Sequence, residues 1–293
     1  LRIVTRPDQP AVQEERTMQT ASPREPKRLL RLDGFRRRAA TLVELLVTFG
    51  VIGMLTGLLL PAVQMARESG RRMQCEHHLH QIGLGLMNYH DHHRKLPPGC
   101  LEWRPFRGPA HRKNFAWSSF LLPFIDQPSL HQSIRFDLPF DHPANRPARL
   151  TNLAIYRCPS VPAKPKDEGF SDYGGLYGQR ISTRTATDNG CLVYDQAFDF
   201  ADLSDGLNDT MMVSEDSEGP DSQWINGSNV FEQSGGVNDP RAWRGDNEIR
   251  SRHPGGAVAV FGSANVRFLS NSVSRDVLAA WITRAGGEVV EAP

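Results

Sequence analysis

The longest uninterrupted apolar stretch is Thr41 to Val63, TLVELLVTFGVIGMLTGLLLPAV. As a helix, Thr41 to Leu60 would reach roughly 30 Å, the thickness of a bilayer's hydrocarbon core. Its one ionisable residue is Glu44, and a carboxylate in hydrocarbon needs a partner. After Pro61, which predicts a bend, the pattern changes from apolar all round to amphipathic over residues 64 to 93. Cys75, Leu79, Ile82, Leu86 and Tyr89 recur at spacings of four, three, four and three, one apolar stripe on a helix. Gly83 and Gly85 weaken that helix but permit close packing against a sheet. Pro97 and Pro98 end it, with fraying expected after Tyr89.

Beyond residue 96 the pattern becomes short and broken. Phe115 to Leu122 is apolar and stops at Pro123, so it reads as a short helix or a buried strand. Leu153 to Tyr156 reads as an extended segment before a turn at Cys158-Pro159. The glycines of Asp172 to Gly178 read as tight turns. Ala257 to Phe261 and Val266 to Leu269 form a hairpin pattern. Residues 274 to 285 read as a helix with Ser274 as N-cap, Asp276 in the first turn and Gly286 as the stop. The predicted organisation is a disordered basic leader (1–38), a transmembrane and amphipathic helix (39–95) and a loop-rich globular α+β domain (96–293). The 25 glycines and 21 prolines support the loop content.

Charge adds orientation. The chain balances 34 Lys+Arg against 33 Asp+Glu, which gives no case for nucleic-acid binding. Locally, residues 24 to 38 hold Arg24, Lys27, Arg28, Arg31, Arg36, Arg37 and Arg38 against Glu25 and Asp33. A basic flank before an apolar span predicts an N-terminus inside the cytoplasm and a C-terminal domain outside it. The four cysteines, Cys75, Cys100, Cys158 and Cys191, would then face an oxidising compartment and are disulfide candidates, with free buried thiols as the alternative.

Candidate chemistry is sparse. Six of the ten histidines lie between His77 and His93, and His77 and His80 could share a helix face. No Cys or carboxylate pattern completes a metal site there, so they read as a solvated face, and neither a metal nor another cofactor is expected. Asp202, Asp205, Asn208 and Asp209 form an oxygen-rich cluster without calcium-loop spacing; a turn and a cap explain it more simply. Trp224 and Trp243 sit in loops and read as packing, or as contacts to a partner or a sugar. Ser251 and His253 have no nucleophile elbow beside them. Glu215 and Asp216 are adjacent, so on a strand they point apart. Catalytic residues are not assigned, and the chain is expected not to be an enzyme.

The string Thr41-Leu42-Val43-Glu44-Leu45-Leu46 resembles the start of type IV pilins and type II secretion pseudopilins. The resemblance implies cleavage by a prepilin peptidase between Ala39 and Ala40, N-methylation of the new terminus, and pairing of Glu44 with a neighbouring subunit's terminal amine. The pattern departs from the family's usual Gly-Phe at the cut, where both residues here are alanine. Further landmarks are Arg71-Arg72-Met73-Gln74-Cys75, Asn88-Tyr89-His90-Asp91, Pro97-Pro98-Gly99, Cys158-Pro159-Ser160, Asp205-Gly206, Asn208-Asp209-Thr210 and the motif containing His253, Gly255 and Gly256. Together they resemble the large prepilin-like family of unknown function expanded in planctomycete bacteria, over roughly residues 39 to 291. That family usually has Asp-Gly in the hairpin turn; Ser263-Ala264 replaces it here. The turn should change, with Gly262 taking the positive φ.

The resemblance implies a pilin-like α+β fold, a long N-terminal helix packed on an antiparallel sheet. It implies a non-catalytic, single-pass subunit of a type II secretion or type IV pilus-like envelope assembly. Its expected partners are the lipid bilayer, the prepilin peptidase, and copies of itself or other pilin-like subunits. The alternative is a membrane-anchored extracytoplasmic binding or envelope-structure protein that never enters a filament.

Overall fold

A computed structural model describes residues 41–105, 108–162, 168–182, 188–219, 222–241 and 247–288. The leader, Ala39, Ala40 and Trp243 lie outside the described residues. The chain forms two compact units, one ending at Met54 and one beginning at Leu55.

In the first unit the described residues are the start of helix α1 (Leu42–His93). Thr41 and Glu44 close a reciprocal capping box. Glu44 Oε2 accepts the Thr41 N–H at 2.9 Å, and Thr41 Oγ1 accepts the Glu44 N–H at 3.3 Å. Every residue from Leu42 to Met54 is exposed. The apolar part of this helix is long and apolar enough to cross a membrane.

In the second unit, α1 continues through Pro61 to His93, four residues past the expected fraying point. Arg94, in the left-handed region at φ +61, takes the chain out of the helix ahead of Leu96-Pro97-Pro98. The remaining elements are β1 (Cys100–Leu101), β2 (Phe115–Ala116), α2 (Trp117–Leu121), α3 (Pro128–Ser133), α4 (Arg146–Arg149), β3 (Tyr173–Gln179), β4 (Met211–Glu215), β5 (Val230–Gln233), β6 (Gly256–Phe261), β7 (Val266–Ser270) and α5 (Arg275–Ile282).

The main sheet has the order β5-β3-β4-β6-β7. It is mixed, which corrects the expectation of an antiparallel sheet. β3, β4, β6 and β7 pair antiparallel, but β5 returns along the free edge of β3 and pairs with it parallel. Both faces are covered. Cys75, Leu79, Ile82 and Leu86 of α1 share one core with Tyr173, Val213, Val258 and Val260. Leu278, Trp281 and Ile282 of α5 share the other with Leu176, Ala257, Ala259 and Phe261. Burial on both faces explains why Ala257 to Phe261 is apolar without alternation. A Cβ on Gly83 would lie 2.7 Å from Val260 Cγ2 and 2.9 Å from Ala264 Cα, so Gly83 sets how closely α1 approaches the hairpin.

Four local expectations need correction. The glycine-rich stretch is the inner strand β3, not a set of turns. A Cβ on Gly174 would meet the Phe231 ring at 2.8 Å, and one on Gly175 would meet Leu192 and Trp117, also at 2.8 Å. These glycines make room for large neighbours. Ala154–Tyr156 is a 3-10 turn rather than extended chain. Helix α5 is capped by Ser274, whose Oγ accepts the Val277 N–H at 3.2 Å, but it stops at Ile282, four residues before Gly286. In the β6–β7 turn the positive φ falls on Ala264 itself (+62), not on Gly262. Phe115–Leu122 takes both predicted forms in succession, a two-residue strand and then α2.

Candidate functional site

Four side chains from distant parts of the sequence meet between α1 and the sheet. Cys75 comes from the apolar stripe of α1. Cys158 follows the 3-10 turn Ala154–Tyr156. Glu215 is the last residue of β4. His253 lies in the loop entering β6. All four are buried, and one donor atom from each lies within 4.8 Å of every other. His253 Nε2 is 3.5 Å from Cys158 Sγ and 3.3 Å from Glu215 Oε1.

The fold aims each of them. The register Tyr173↔Glu215 sets Glu215 beside Tyr173 on the helix-facing side. A register shift between Met211 and Val213 lets Glu215 Oε2 reach and accept the Val258 N–H at 2.7 Å. Its other oxygen, Oε1, is buried and faces His253 Nε2, while the Tyr173 hydroxyl, which lies beside the Cys75 thiol, is buried without a hydrogen-bond partner. Cys158 is held by its own backbone, whose N–H donates to Asp172 Oδ2 at 2.8 Å; the same oxygen pairs with Arg157 at 3.0 Å. His253 N–H donates to Ser251 Oγ at 3.0 Å. Gly255 then takes φ +86, and Gly256 passes so close to β7 that a Cβ would lie 2.0 Å from Leu269 O. The motif glycines therefore place His253.

On the far side of the imidazole, His253 Nδ1 is 2.6 Å from Glu68 Oε1. Glu68 also receives Arg71 and the Ser160 hydroxyl, the latter at 3.0 Å. Nδ1 therefore donates to Glu68, which leaves Nε2 facing the two thiols and Glu215. Burial lowers the imidazole's affinity for a second proton. The contacts with Cys158, Glu215 and Glu68 outweigh it and raise His253 to about 10. The neighbouring Cys75 thiol and burial push the Cys158 thiol up. Burial raises Glu68, but His253, Arg71 and Ser160 outweigh that and hold it below the usual carboxylate range. The pocket thus favours a positive charge between Glu68 and Glu215.

The other sequence candidates are placed as follows. All four cysteines are buried free thiols, so no bridge forms among the described residues. Cys75 and Cys158 belong to the cluster. Cys100 donates to Asn114 Oδ1 at 3.3 Å, and burial pushes Cys191 up to about 12. Three histidines of the helical run are engaged with backbone: His78 Nδ1 is 3.0 Å from Arg157 O, His80 Nδ1 is 2.9 Å from Ala264 O, and His90, which is buried rather than on a solvated face, accepts the Phe200 N–H at Nε2, 3.2 Å. The acidic group around Asp205 does not converge. Asp202 caps Asp199, Asp205 accepts Gly286 and Gly287 N–H at 2.7 and 2.9 Å, and Asp209 pairs with Arg267. Trp224 is fully buried and donates to Thr151 O at 2.9 Å. Ser160 Oγ is 3.4 Å from His253 Nδ1 but donates to Glu68, and Ser251 Oγ is occupied by the His253 N–H. Neither serine is arranged as a nucleophile with His253 as its base.

In the sequence these four residues stand apart: two cysteines among the disulfide candidates, His253 in a motif, Glu215 beside Asp216 on a strand. No short spacing links residues 75, 158, 215 and 253, so only the fold collects them. The usable signal was the isolation of Cys75 as the one sulfur in an otherwise hydrocarbon stripe.

The family model described as "Protein of unknown function (DUF1559)" matches residues 64–239. That span contains Glu68, Cys75, Cys158 and Glu215 and ends before His253. No curated protein and no solved structure matches the chain.

Proposed function

We propose that this chain, which belongs to the DUF1559 family, is a non-catalytic, pilin-like structural subunit of an envelope assembly of the type II secretion or type IV pilus kind. The observation that carries the proposal is the start of α1, exposed from Leu42 to Met54, apolar, and containing Glu44 as its only carboxylate. Such a surface requires lipid or neighbouring helices to cover it. The basic flank orients it with the N-terminus in the cytoplasm and the globular domain outside. The packing of the later part of α1 on a sheet is consistent with the pilin plan.

In this reading a prepilin peptidase cuts between Ala39 and Ala40. The terminus is methylated, and Glu44 pairs with the freed amine of a neighbouring copy or another pilin-like subunit. Membrane insertion of a lone charge near mid-span costs roughly 2.5 to 3.5 kcal/mol, less near a helix end. Pairing between subunits offsets that cost and sets their register. One observation favours the second reading, a membrane-anchored envelope protein outside any filament: Glu44 already has a partner in its own chain, the capping box with Thr41.

The test is N-terminal sequencing of the mature protein together with in-membrane crosslinking of Glu44→Gln and Glu44→Leu. Assembly predicts a terminus at Ala40 and crosslinking lost in both variants. A retained leader with unchanged crosslinking would establish the second reading.

A further inference from the structure

We infer that Cys75, Cys158, Glu215 and His253 bind one zinc ion in a closed, tetrahedral, structural site. The inference stands on the globular unit alone and does not depend on how the N-terminal helix is used.

The donor set comes first. Two sulfurs, one imidazole nitrogen and one carboxylate oxygen match the borderline-soft preference of zinc and leave no position for water. Calcium and magnesium take oxygen ligands and would not select this set.

Distances agree. Zinc bonds of about 2.0 to 2.3 Å at tetrahedral angles hold neighbouring donors about 3.3 to 3.8 Å apart. His253 Nε2 stands 3.3 Å from Glu215 Oε1 and 3.5 Å from Cys158 Sγ. The whole set fits within 4.8 Å, so closing it requires only side-chain adjustment.

The surroundings are those of a ligand set. A zinc-bound histidine usually donates its second ring N–H to a carboxylate, which fixes the tautomer and the ring plane. Glu68 stands in that position at 2.6 Å from Nδ1, itself fixed by Arg71 and Ser160. Asp172 holds the Cys158 backbone.

A buried carboxylate oxygen and a buried hydroxyl supply a second observation. Glu215 Oε1 is fully buried, and the 3.3 Å approach of His253 Nε2 is the contact that meets its charge, so a cation placed between the two would be held from both sides. The Tyr173 hydroxyl is buried without a hydrogen-bond partner beside Cys75. With a metal bound, Cys75 is a thiolate, the acceptor that hydroxyl lacks. Two thiolates and one carboxylate around a divalent ion leave one net negative charge, near Arg71 and Arg157. Binding displaces a proton from each thiol and the Nε2 proton of His253, which leaves the imidazole neutral.

The role follows from where the ligands sit. They join α1, the Cys158 loop, the end of β4 and the entry to β6, so one ion ties the helix to the sheet.

The test uses the full chain purified in detergent from zinc-replete cells. Elemental analysis should find one zinc per chain. Cobalt substitution should give the intense ligand-field bands of a tetrahedral ion together with a thiolate-to-cobalt charge-transfer band. The exposed histidines of α1 bring no thiol and cannot produce that band. Cys158→Ser and His253→Gln should each lose the stoichiometric metal. Should they fail to fold, the wild-type stoichiometry and cobalt spectrum still decide. The inference is overturned by wild-type protein that carries four free thiols and no metal, by a Cys75–Cys158 disulfide in native material, or by a cobalt spectrum without thiolate character.

Discussion

Glu68 Oε1 and His253 Nδ1 lie 2.6 Å apart although 185 residues of chain separate them. Glu68 projects from the exposed-to-buried margin of α1, and the His253 side chain is fully buried. The contact directs the other ring nitrogen into the cluster. Removing it should therefore act on the cluster more than on the fold. Glu68→Ala should weaken zinc binding by roughly 10- to 100-fold, the usual effect of losing a carboxylate behind a ligating histidine. Glu68→Gln keeps an acceptor oxygen and should lose less. Competition against a chelator of known affinity measures both. Equal affinities for wild type and Glu68→Ala would show that the contact only packs the helix.

Much of this architecture was legible in the residues. The stripe Cys75, Leu79, Ile82 and Leu86 is the buried side of α1, because helical periodicity reports burial directly. The hairpin 257–269 pairs as its apolar runs suggest. Strand β3 is not legible in the sequence because glycine signals both turns and close contact, and only the Phe231 and Trp117 rings distinguish the two. The cluster was hidden for a different reason. Ligand spacing reveals sites built on one helix or one loop, the kind that His77 and His80 suggest, whereas these donors come from four elements. Nothing in the order of Glu215 and His253 along the chain joins them to Cys75.

The same substitution should have opposite signs at two positions of α1. Nothing lies within 4 Å of a Cβ built on Gly70, whereas one on Gly83 would contact Val260 at 2.7 Å and the Ala264 backbone at 2.9 Å. Gly70→Ala should stabilise by roughly 0.5 to 1 kcal/mol through helix propensity alone. Gly83→Ala gains the same term but overpacks, at a cost of about 1 to 3 kcal/mol, and Gly83→Val adds crowding on top of it. Thermal denaturation should show the melting temperature rising for Gly70→Ala and falling for Gly83→Val, with Gly83→Ala between wild type and Gly83→Val. Stabilisation by Gly83→Val would mean that α1 does not meet the hairpin as described.

Acid should weaken a second tie, away from the cluster. Asp239 accepts Arg241 and Arg275 at 2.9 and 2.7 Å, which connects the segment after β5 to the start of α5. Hydrogen bonds from Arg241, with Arg275 further along, hold its carboxyl well below the usual 3.8. A carboxylate with a lowered folded-state value contributes stability that is fully present above the unfolded value, near pH 4. That contribution is lost as pH falls through the folded value. Asp239→Asn should therefore lower the melting temperature at pH 7. The gap from wild type should narrow below about pH 4, as the wild-type side chain also becomes neutral. A gap that widened toward low pH would reverse the sign and exclude this pair as the source.

Metal removal offers the sharpest separation between the cluster and the other buried sulfurs. An ion bound only by the folded state stabilises with the logarithm of its free concentration relative to the dissociation constant, about 2.7 kcal/mol at 100 times that constant and about 4.1 at 1,000 times. A domain of this size shifts by about 2 to 4 °C per kcal/mol. Chelation should then lower the melting temperature of the wild-type chain by roughly 5 to 15 °C, and added zinc should restore it. Cys158→Ser should melt lower and no longer respond to chelator. Cys191→Ala, which removes a fully buried thiol outside the cluster, should lose about 1 kcal/mol by leaving a small cavity yet keep the full chelator response. That contrast matters because both cysteines are buried, so loss of packing alone would treat them alike. A wild-type chain whose melting is indifferent to chelator and to zinc would leave the four converging donors without an ion to hold.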